Sequence, residues 1–298
     1  MRKRKQQPVL LLHRKSANRP EVKAAVKAVR RRGVDLLVRI PWNKRDKRKH
    51  VKALLREGYS RIIAGGGDGT LNAVADALVN YRKTGQSVSM GILPLGTAND
   101  FAHGLALPCD DLEACLYLAA TGKPRPLDIG AVNGRHFINV ASGGFGAEVT
   151  ATTPQDIKRH LGGLAYTLNG LVKLWDMKPY AGALLLPDQP AIPYSMLLMA
   201  VGNSRLAGGG FEVAPAADPA DGLLDLMLLT EGALTDPARA LAEIQTPLNP
   251  NNKLVMYRQA KAFTLESEQL LHINLDGEPI TGHRFSFEVF DSALDVVY

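Results

Sequence analysis

The sequence predicts two domains of different class: an α/β N-terminal domain with a doubly wound, mostly parallel sheet, followed by a mainly antiparallel β-sandwich domain. Three observations carry this expectation. Strand-length apolar runs alternate with helix-period segments as far as Pro124-Arg125-Pro126. Beyond that point strand-like runs dominate, joined by Gly, Pro and Asp turns. A chain of 298 residues, 46% apolar, is long enough to bury two cores. The domains are therefore expected at 1–126 and 127–292, with a last strand at 293–298 returning to the first.

Val9 to His13 is the first short apolar strand, and Glu21 to Arg32 repeats Val22, Ala25, Val26 and Val29 at helical spacing until Gly33 stops it. Val34 to Ile40 is a second strand ended by Pro41, and Lys44 to Glu57 a basic helix closed by Gly58. The third strand, Arg61 to Ala64, runs into Gly65-Gly66-Gly67-Asp68-Gly69, after which Thr70 to Tyr81 places Leu71, Val74, Ala75 and Leu78 on one helical face. A fourth strand, Ser89 to Leu93, leads into Pro94-Leu95-Gly96-Thr97-Ala98-Asn99-Asp100, and a helix covers Asp111 to Thr121. In such a sheet ligands bind beyond the carboxyl ends of the strands. The second domain shows strand runs at Leu127 to Val132, Phe137 to Ala141, Ser195 to Val201, Leu223 to Leu229, Lys261 to Leu265, His272 to Leu275 and Phe285 to Phe290, with a helical insertion around Pro154 to Trp175.

The net charge is +7, and 20 of the 36 Lys and Arg precede Tyr59, against four acids there. Such a surface is either a set of solvated helix faces or one that attracts anionic phospholipid headgroups. Nucleic acid is not expected, because the run Lys44 to His50 lacks interleaved aromatics and no helix-turn-helix or RRM signature is present. The two cysteines, Cys109 and Cys115, suggest neither a disulfide framework nor a zinc site, which suits a cytoplasmic protein. No run approaches the roughly 20 apolar residues of a membrane span. A lipid substrate would thus be met by peripheral contact with the bilayer, and no obligate protein partner is evident.

The chemistry concentrates in Ala64 to Asn72, between a strand and a helix. Glycines there are expected to allow positive φ and to let backbone N–H groups approach phosphates, with the helix N-terminus adding its dipole. Asp68 would repel such a ligand unless a cation intervenes, which implies Mg²⁺. Thr70 also suits a helix cap. The second loop, Leu93 to Phe101, projects from the same sheet edge, where Thr97 can donate to a phosphate or ribose and Asn99 and Asp100 can fix loop or ligand. Asp276-Gly277, for its part, is a favoured hairpin dipeptide.

Together, GGGDGT and LPLGTANDFA resemble the catalytic domain of the diacylglycerol kinase superfamily, most nearly the bacterial YegS-type lipid kinases. The likeness extends to Phe137-Ile138-Asn139-Val140-Ala141-Ser142-Gly143-Gly144-Phe145-Gly146, the stretch from Gly202 to Gly210, Pro215 to Leu226, and Asn274-Leu275-Asp276-Gly277-Glu278-Pro279. It implies an ATP- and Mg²⁺-dependent kinase acting on a glycerolipid hydroxyl. The nucleotide would be held by Gly66, Gly67, Asp68, Gly69, Thr70, Leu71, Asn72 and Thr97 between the domains, with Asp276 as general base. A second Mg²⁺ site would be formed by Asp218, Asp221 and the carbonyl of Leu223. Two departures stand out: His13 where relatives commonly have Asn, and Pro41 where close relatives have Thr. A soluble-substrate kinase of NAD kinase or phosphofructokinase type shares the first loop, and a non-catalytic nucleotide- or anionic-lipid-binding module would tolerate both departures.

Overall fold

The computed structural model describes residues 7–41, 47–82, 85, 87–144 and 178–298. The expected helical insertion around Pro154 to Trp175 lies outside them, as do the first residues of the basic helix and the end of the Phe137 to Gly146 stretch. The chain divides into two compact units, Met1–Ile129 with Asp291–Tyr298, and Gly130–Phe290.

The first unit is a parallel sheet in the order β2-β1-β3-β4, comprising β1 (Val9–Leu12), β2 (Leu37–Arg39), β3 (Arg61–Gly66) and β4 (Ser89–Pro94). The end of β15 (Glu278–Val297) extends it beyond β4, with Asp295 opposite Ser89 and Val296 opposite Met90. All of β1 is buried, as are Ile62, Ile63, Met90, Ile92 and Leu93, which is why these runs read as continuous apolar segments. The helices are α1 (Arg14–Ala17), α2 (Pro20–Arg31), α3 (Lys47–Arg56), α4 (Asp68–Arg82), α5 (Asp100–Gly104) and α6 (Leu112–Thr121). Pro20 sits in the first turn of α2, where its missing N–H costs nothing. α2 packs on α6 and α3 on α4, as in a doubly wound sheet. The strand order reverses between β1 and β3, whose carboxyl ends are Leu12 and Gly66, the position at which sheets of this kind commonly bind ligands.

The second unit is antiparallel. β12 (Leu224–Thr230) lies between β9 (Ile192–Gly202) and β13 (Val255–Ala260), while β7 (Val140–Gly144) lies between β9 and β14 (Ala262–Leu275). β8 (Tyr180–Leu185) pairs with both β9 and β14, β10 (Leu206–Ala207) pairs with β11 (Phe211–Glu212), and β5 (Pro124–Val132) runs into β6 (Arg135–Phe137) through an Asn133-Gly134 turn. Period-2 alternation sorts the side chains of β12 between two cores. Leu224, Leu226 and Leu228 join Phe137, Phe263, Phe285 and Phe287, whereas Met227 and Leu229 join Val140, Leu197 and Ala240. Two expected strands, Lys261 to Leu265 and His272 to Leu275, form a single long strand with an irregularity between Glu266 and Leu271.

The second core ends on α7 (Pro237–Gln245), capped by the Asp236 carboxylate. Its Glu243, 6% exposed, accepts the N–H groups of Lys253, Leu254 and Val255 at 2.7–3.0 Å and pairs with Arg239 at 2.7 Å. Burial alone would raise this carboxyl, but Arg239 and the three N–H groups outweigh it and bring it down to about 2. Because the folded value lies below the ordinary 4.5, the stabilisation is complete above about pH 4.5 and is lost as pH falls toward 2. Glu243→Ala is expected to lower the urea unfolding free energy at pH 7 by about 1–3 kcal/mol, by leaving buried donors unpaired. The gap from wild type should narrow on acidification to pH 3; a gap independent of pH would assign the effect to packing.

Candidate active site

The first glycine segment is less of a loop than its composition suggests. β3 continues through Gly65 and Gly66, paired with Leu93 and Pro94 of β4, and α4 begins at Asp68, so Gly67 alone joins strand to helix. The Gly67 carbonyl accepts the N–H groups of Thr70 (2.7 Å) and Leu71 (3.2 Å), starting the helix without a side-chain cap. Thr70, expected as a possible cap, lies in the first turn, and its hydroxyl accepts from Lys47 Nζ at 2.8 Å. Nor is positive φ the reason for these glycines, since none of Gly65, Gly66, Gly67 and Gly69 adopts it. Close approach is the reason. A Cβ on Gly66 would lie 2.5 Å from Thr70 Oγ1, and one on Gly67 would lie 2.9 Å from the Cα of Gly96.

That second contact brings the two loops together. The Leu95 N–H donates to the Gly66 carbonyl (3.0 Å), and the Phe101 N–H donates to Asp68 Oδ1 (3.3 Å). Asn99, at φ 54, closes its own turn by accepting the Gly96 N–H at 2.8 Å. Thr97 is exposed on the same turn, while Leu71 and Asn72 are buried beneath the first turn of α4. Burial pushes the Asp68 carboxyl above its usual range; the Phe101 N–H opposes this and the nearby Asp100 charge adds to it. At the neighbouring strand end His13 Nδ1 accepts the Lys15 N–H (3.2 Å) and caps α1, and Pro41 is buried after β2.

In the second unit Asp276 and Gly277 form a two-residue hairpin between β14 and β15, both with positive φ (47° and 97°). The turn also aims a carboxylate. Oδ2 of Asp276 accepts the Ile138 N–H at 2.7 Å, and Oδ1 accepts those of Asn139 (3.2 Å) and Val140 (3.1 Å). The Asn139 carbonyl accepts the N–H groups of Asn203 and Ser204, and Asn139 Nδ2 donates to the Leu206 carbonyl at 2.8 Å. The Asp276 carboxylate is thereby tied to the glycine-rich Gly202 to Gly210 stretch.

Asp218, Asp221 and Leu223 share one turn of this unit. The Asp221 N–H donates to the Asp218 carbonyl (3.2 Å), and each carboxylate already accepts one backbone N–H, from Ala220 and Leu223 respectively. Two residues on, Asp225 is fully buried and accepts the Tyr257 hydroxyl at 2.6 Å. Burial drives the Asp225 carboxyl up to about 6, Tyr257 opposes this, and the charge of Asp221 adds to it. No group of three or more His, Cys, Asp or Glu side chains that could hold a metal occurs among the described residues.

Sequence reasoning missed Lys47 and Asp225. Lys47 was one of several cations in a basic run, and only its contact with Thr70 singles it out. Asp225 carried a signal, an acid inside the apolar run Leu224-Asp225-Leu226.

Residues 8–132 match the family model described as diacylglycerol kinase catalytic domain, and residues 139–298 match the YegS C-terminal NAD kinase beta sandwich-like domain. The chain is 41% identical over 286 residues to a Chromohalobacter salexigens protein named "Probable lipid kinase YegS-like", covering 96% of this chain and 91% of that one. A Pseudomonas aeruginosa protein of the same name is 41% identical over 295 residues, covering 98% and 94%. Two crystal structures from Bacillus anthracis strain Sterne, one described as a diacylglycerol kinase, superpose with TM-scores of 0.78 and 0.68 at 22% and 19% identity. Each alignment covers 98% of this chain and 97% of the other; at that identity the likeness shows the fold.

The packing of the two turns has a direct test. Gly96→Ala would put a Cβ 2.5 Å from the Gly67 Cα and 2.8 Å from Asn99 Oδ1. It is expected to cost about 1–3 kcal/mol in urea unfolding. Thr97→Ala, one residue along but exposed, should stay within about 0.5 kcal/mol of wild type. Equal effects of the two exchanges would mean that the turns are not in contact.

Proposed function

The chain belongs to the diacylglycerol kinase superfamily, in its YegS-like lipid kinase branch, and on that premise we propose that it transfers the γ-phosphoryl group of ATP, as the Mg²⁺ complex, to a hydroxyl of a glycerolipid at the membrane surface. The observation that carries this reading is the packed pair of turns at the carboxyl ends of β3 and β4, with α4 starting at Asp68. N–H groups of a first helical turn lack partners within the helix, and the dipole there favours anions. Gly66 and Gly67 pack that turn against Thr70 and Gly96, and Gly69 adds no side chain to obstruct phosphates that approach it. The hydroxyls of Thr70 and Thr97 and the Lys47 ammonium add donors, and buried Leu71 and Asn72 anchor the turn from beneath.

Asp68 and Asp100 are the hard-oxygen donors that would hold Mg²⁺, an ion that takes one or two carboxylates and completes its shell with phosphate and water. The raised Asp68 carboxyl, close to a second acid, suits a place where a cation is called for. Its chemistry there is to neutralise charge on the transferring phosphoryl group. A second Mg²⁺ at Asp218, Asp221 and the Leu223 carbonyl remains part of this proposal, with oxygens of the right type in one turn.

In this reading Asp276 accepts the proton of the attacking lipid hydroxyl. Its three N–H partners orient the carboxylate and match its negative charge. Since phosphoryl transfer passes through a loose transition state, orienting the nucleophile matters as much as basicity.

With labelled ATP, Mg²⁺ and a panel of detergent-dispersed glycerolipids, one lipid is expected to take the label. EDTA should stop the transfer and added Mg²⁺ restore it. Asp276→Ala is expected to lower the rate on the order of 10²- to 10⁴-fold while ATP binding persists. Labelling undiminished by the exchange would remove Asp276 as the base. Phosphorylation of NAD or a sugar phosphate, with every lipid unlabelled, would replace the glycerolipid by a soluble substrate.

A further inference from the structure

A groove in the first unit, away from the glycine turns, combines an apolar floor with a cationic lip. It opens between α2 and β2, the edge strand of the sheet, with a volume of about 610 Å³. Val26, Val38 and Ile40 contribute to the floor, and Ile40 is 46% exposed. Lys23, Lys27, Arg30 and Arg31 form the lip, all of them exposed. Their spacing of four, seven and eight residues puts them on one stripe of α2, beside the buried stripe of Val22, Ala25 and Val29.

The acids near this stripe lie on its other side, where Asp110, Asp111 and Glu113 share a second groove with Lys27 and Arg31; Glu113 pairs with Arg32 at 3.9 Å and Asp111 caps α6. Glu21 is taken by Arg19 at 2.7 Å, and Asp35 accepts from Gln7. Arg30 donates twice to the Leu36 carbonyl, at 2.7 and 3.1 Å, which fixes the lip to the strand side while leaving the guanidinium charged. Lys23, Lys27 and Arg31 have no acidic partner within salt-bridge distance among the described residues. Anything that covers the floor must therefore be apolar in one part and anionic in another. Residues 1–6 and 42–46, which adjoin the described residues of β1 and β2 in sequence, hold six cations and one acid, so their charge is not complementary to the lip.

We propose that this groove is the bilayer-docking surface of the first unit, with the α2 cations on the headgroups of anionic phospholipids and Ile40 at the acyl boundary. The apolar stripe of α2 stays buried in the unit, so the apolar contact comes from Ile40 and the groove floor, and the exposed Lys and Arg add attraction to anionic lipid. The inference deepens the lipid-kinase reading, since an enzyme without a spanning helix among its described residues must reach a membrane-embedded hydroxyl from the surface.

The experiment is co-sedimentation of the full chain with phosphatidylcholine vesicles, with and without phosphatidylglycerol, in the absence of ATP. Partition onto the anionic vesicles is expected, falling as salt rises. The triple exchange Lys23→Gln, Lys27→Gln, Arg31→Gln is expected to lower it on the order of 100-fold, about fivefold per charge, and Ile40→Asp alone should weaken it as well. A control triple removing the same charge from exposed positions elsewhere, Lys52→Gln, Lys178→Gln, Lys261→Gln, should leave most of the binding intact. Equal losses from the two triples would reduce the effect to net charge and overturn the groove, as would a native chain that ignores the vesicles or prefers duplex DNA to them. Transfer to a detergent-dispersed lipid separates the two readings. Transfer without vesicle binding sinks the groove alone, and vesicle binding with no lipid phosphorylated sinks the glycerolipid reading alone.

Discussion

Between the carboxyl ends of β3 and β4 the backbones of Gly67 and Gly96 lie so close that a Cβ on either would come within 2.5–2.9 Å of the other's Cα. The rest of the candidate nucleotide site depends on that approach. It lets the Leu95 N–H reach the Gly66 carbonyl and the Phe101 N–H reach Asp68, so that two successive strand-to-helix junctions become one surface. Glycine serves here by having no side chain rather than by adopting unusual dihedral angles. Left-handed φ occurs next to these glycines at Asn99, and in the second unit at Asp276 and Gly277.

The hairpin at Asp276 shows how a structural and a chemical role share one residue. A left-handed aspartate at a two-residue turn would be an ordinary connection if its carboxylate faced water. Here the side chain folds back onto the start of β7, and three consecutive N–H groups hold it. The same stretch of backbone, Ile138 to Val140, also carries the carbonyls that receive Asn203 and Ser204. Displacing the Gly202 to Gly210 stretch would therefore disturb the carboxylate as well.

Much of the architecture was legible because burial writes itself into composition. β1, β3 and β4 are buried on both faces and read as apolar runs, and α2 declares itself by Val22, Ala25 and Val29. The elements missed are those whose residues are mixed or half-exposed. β13 carries Arg258 and Gln259, β8 is interrupted by Gly182, and α7 was overlooked although Asp236-Pro237 is a fair start signal. Gly65 and Gly66 suggested a loop because glycine is common in loops, yet here it permits close packing inside a strand. At the site, residue types were readable and partners were not. Nothing local in the sequence links Asp276 to the N–H groups of residues 136–138 positions earlier, or selects Lys47 from its basic neighbours for Thr70.

The sheet of the first unit is completed by Asp295 and Val296 against β4, residues synthesised after the whole second unit. At 5–20 residues per second, roughly 10–40 seconds of translation separate the emergence of β4 from that of its last partner. During that interval the β4 edge presents unpaired backbone groups in a nearly finished sheet, the kind of edge that recruits foreign strands. Nascent-chain quality control, more than final stability, is thus where a lesion in the last eight residues would be felt.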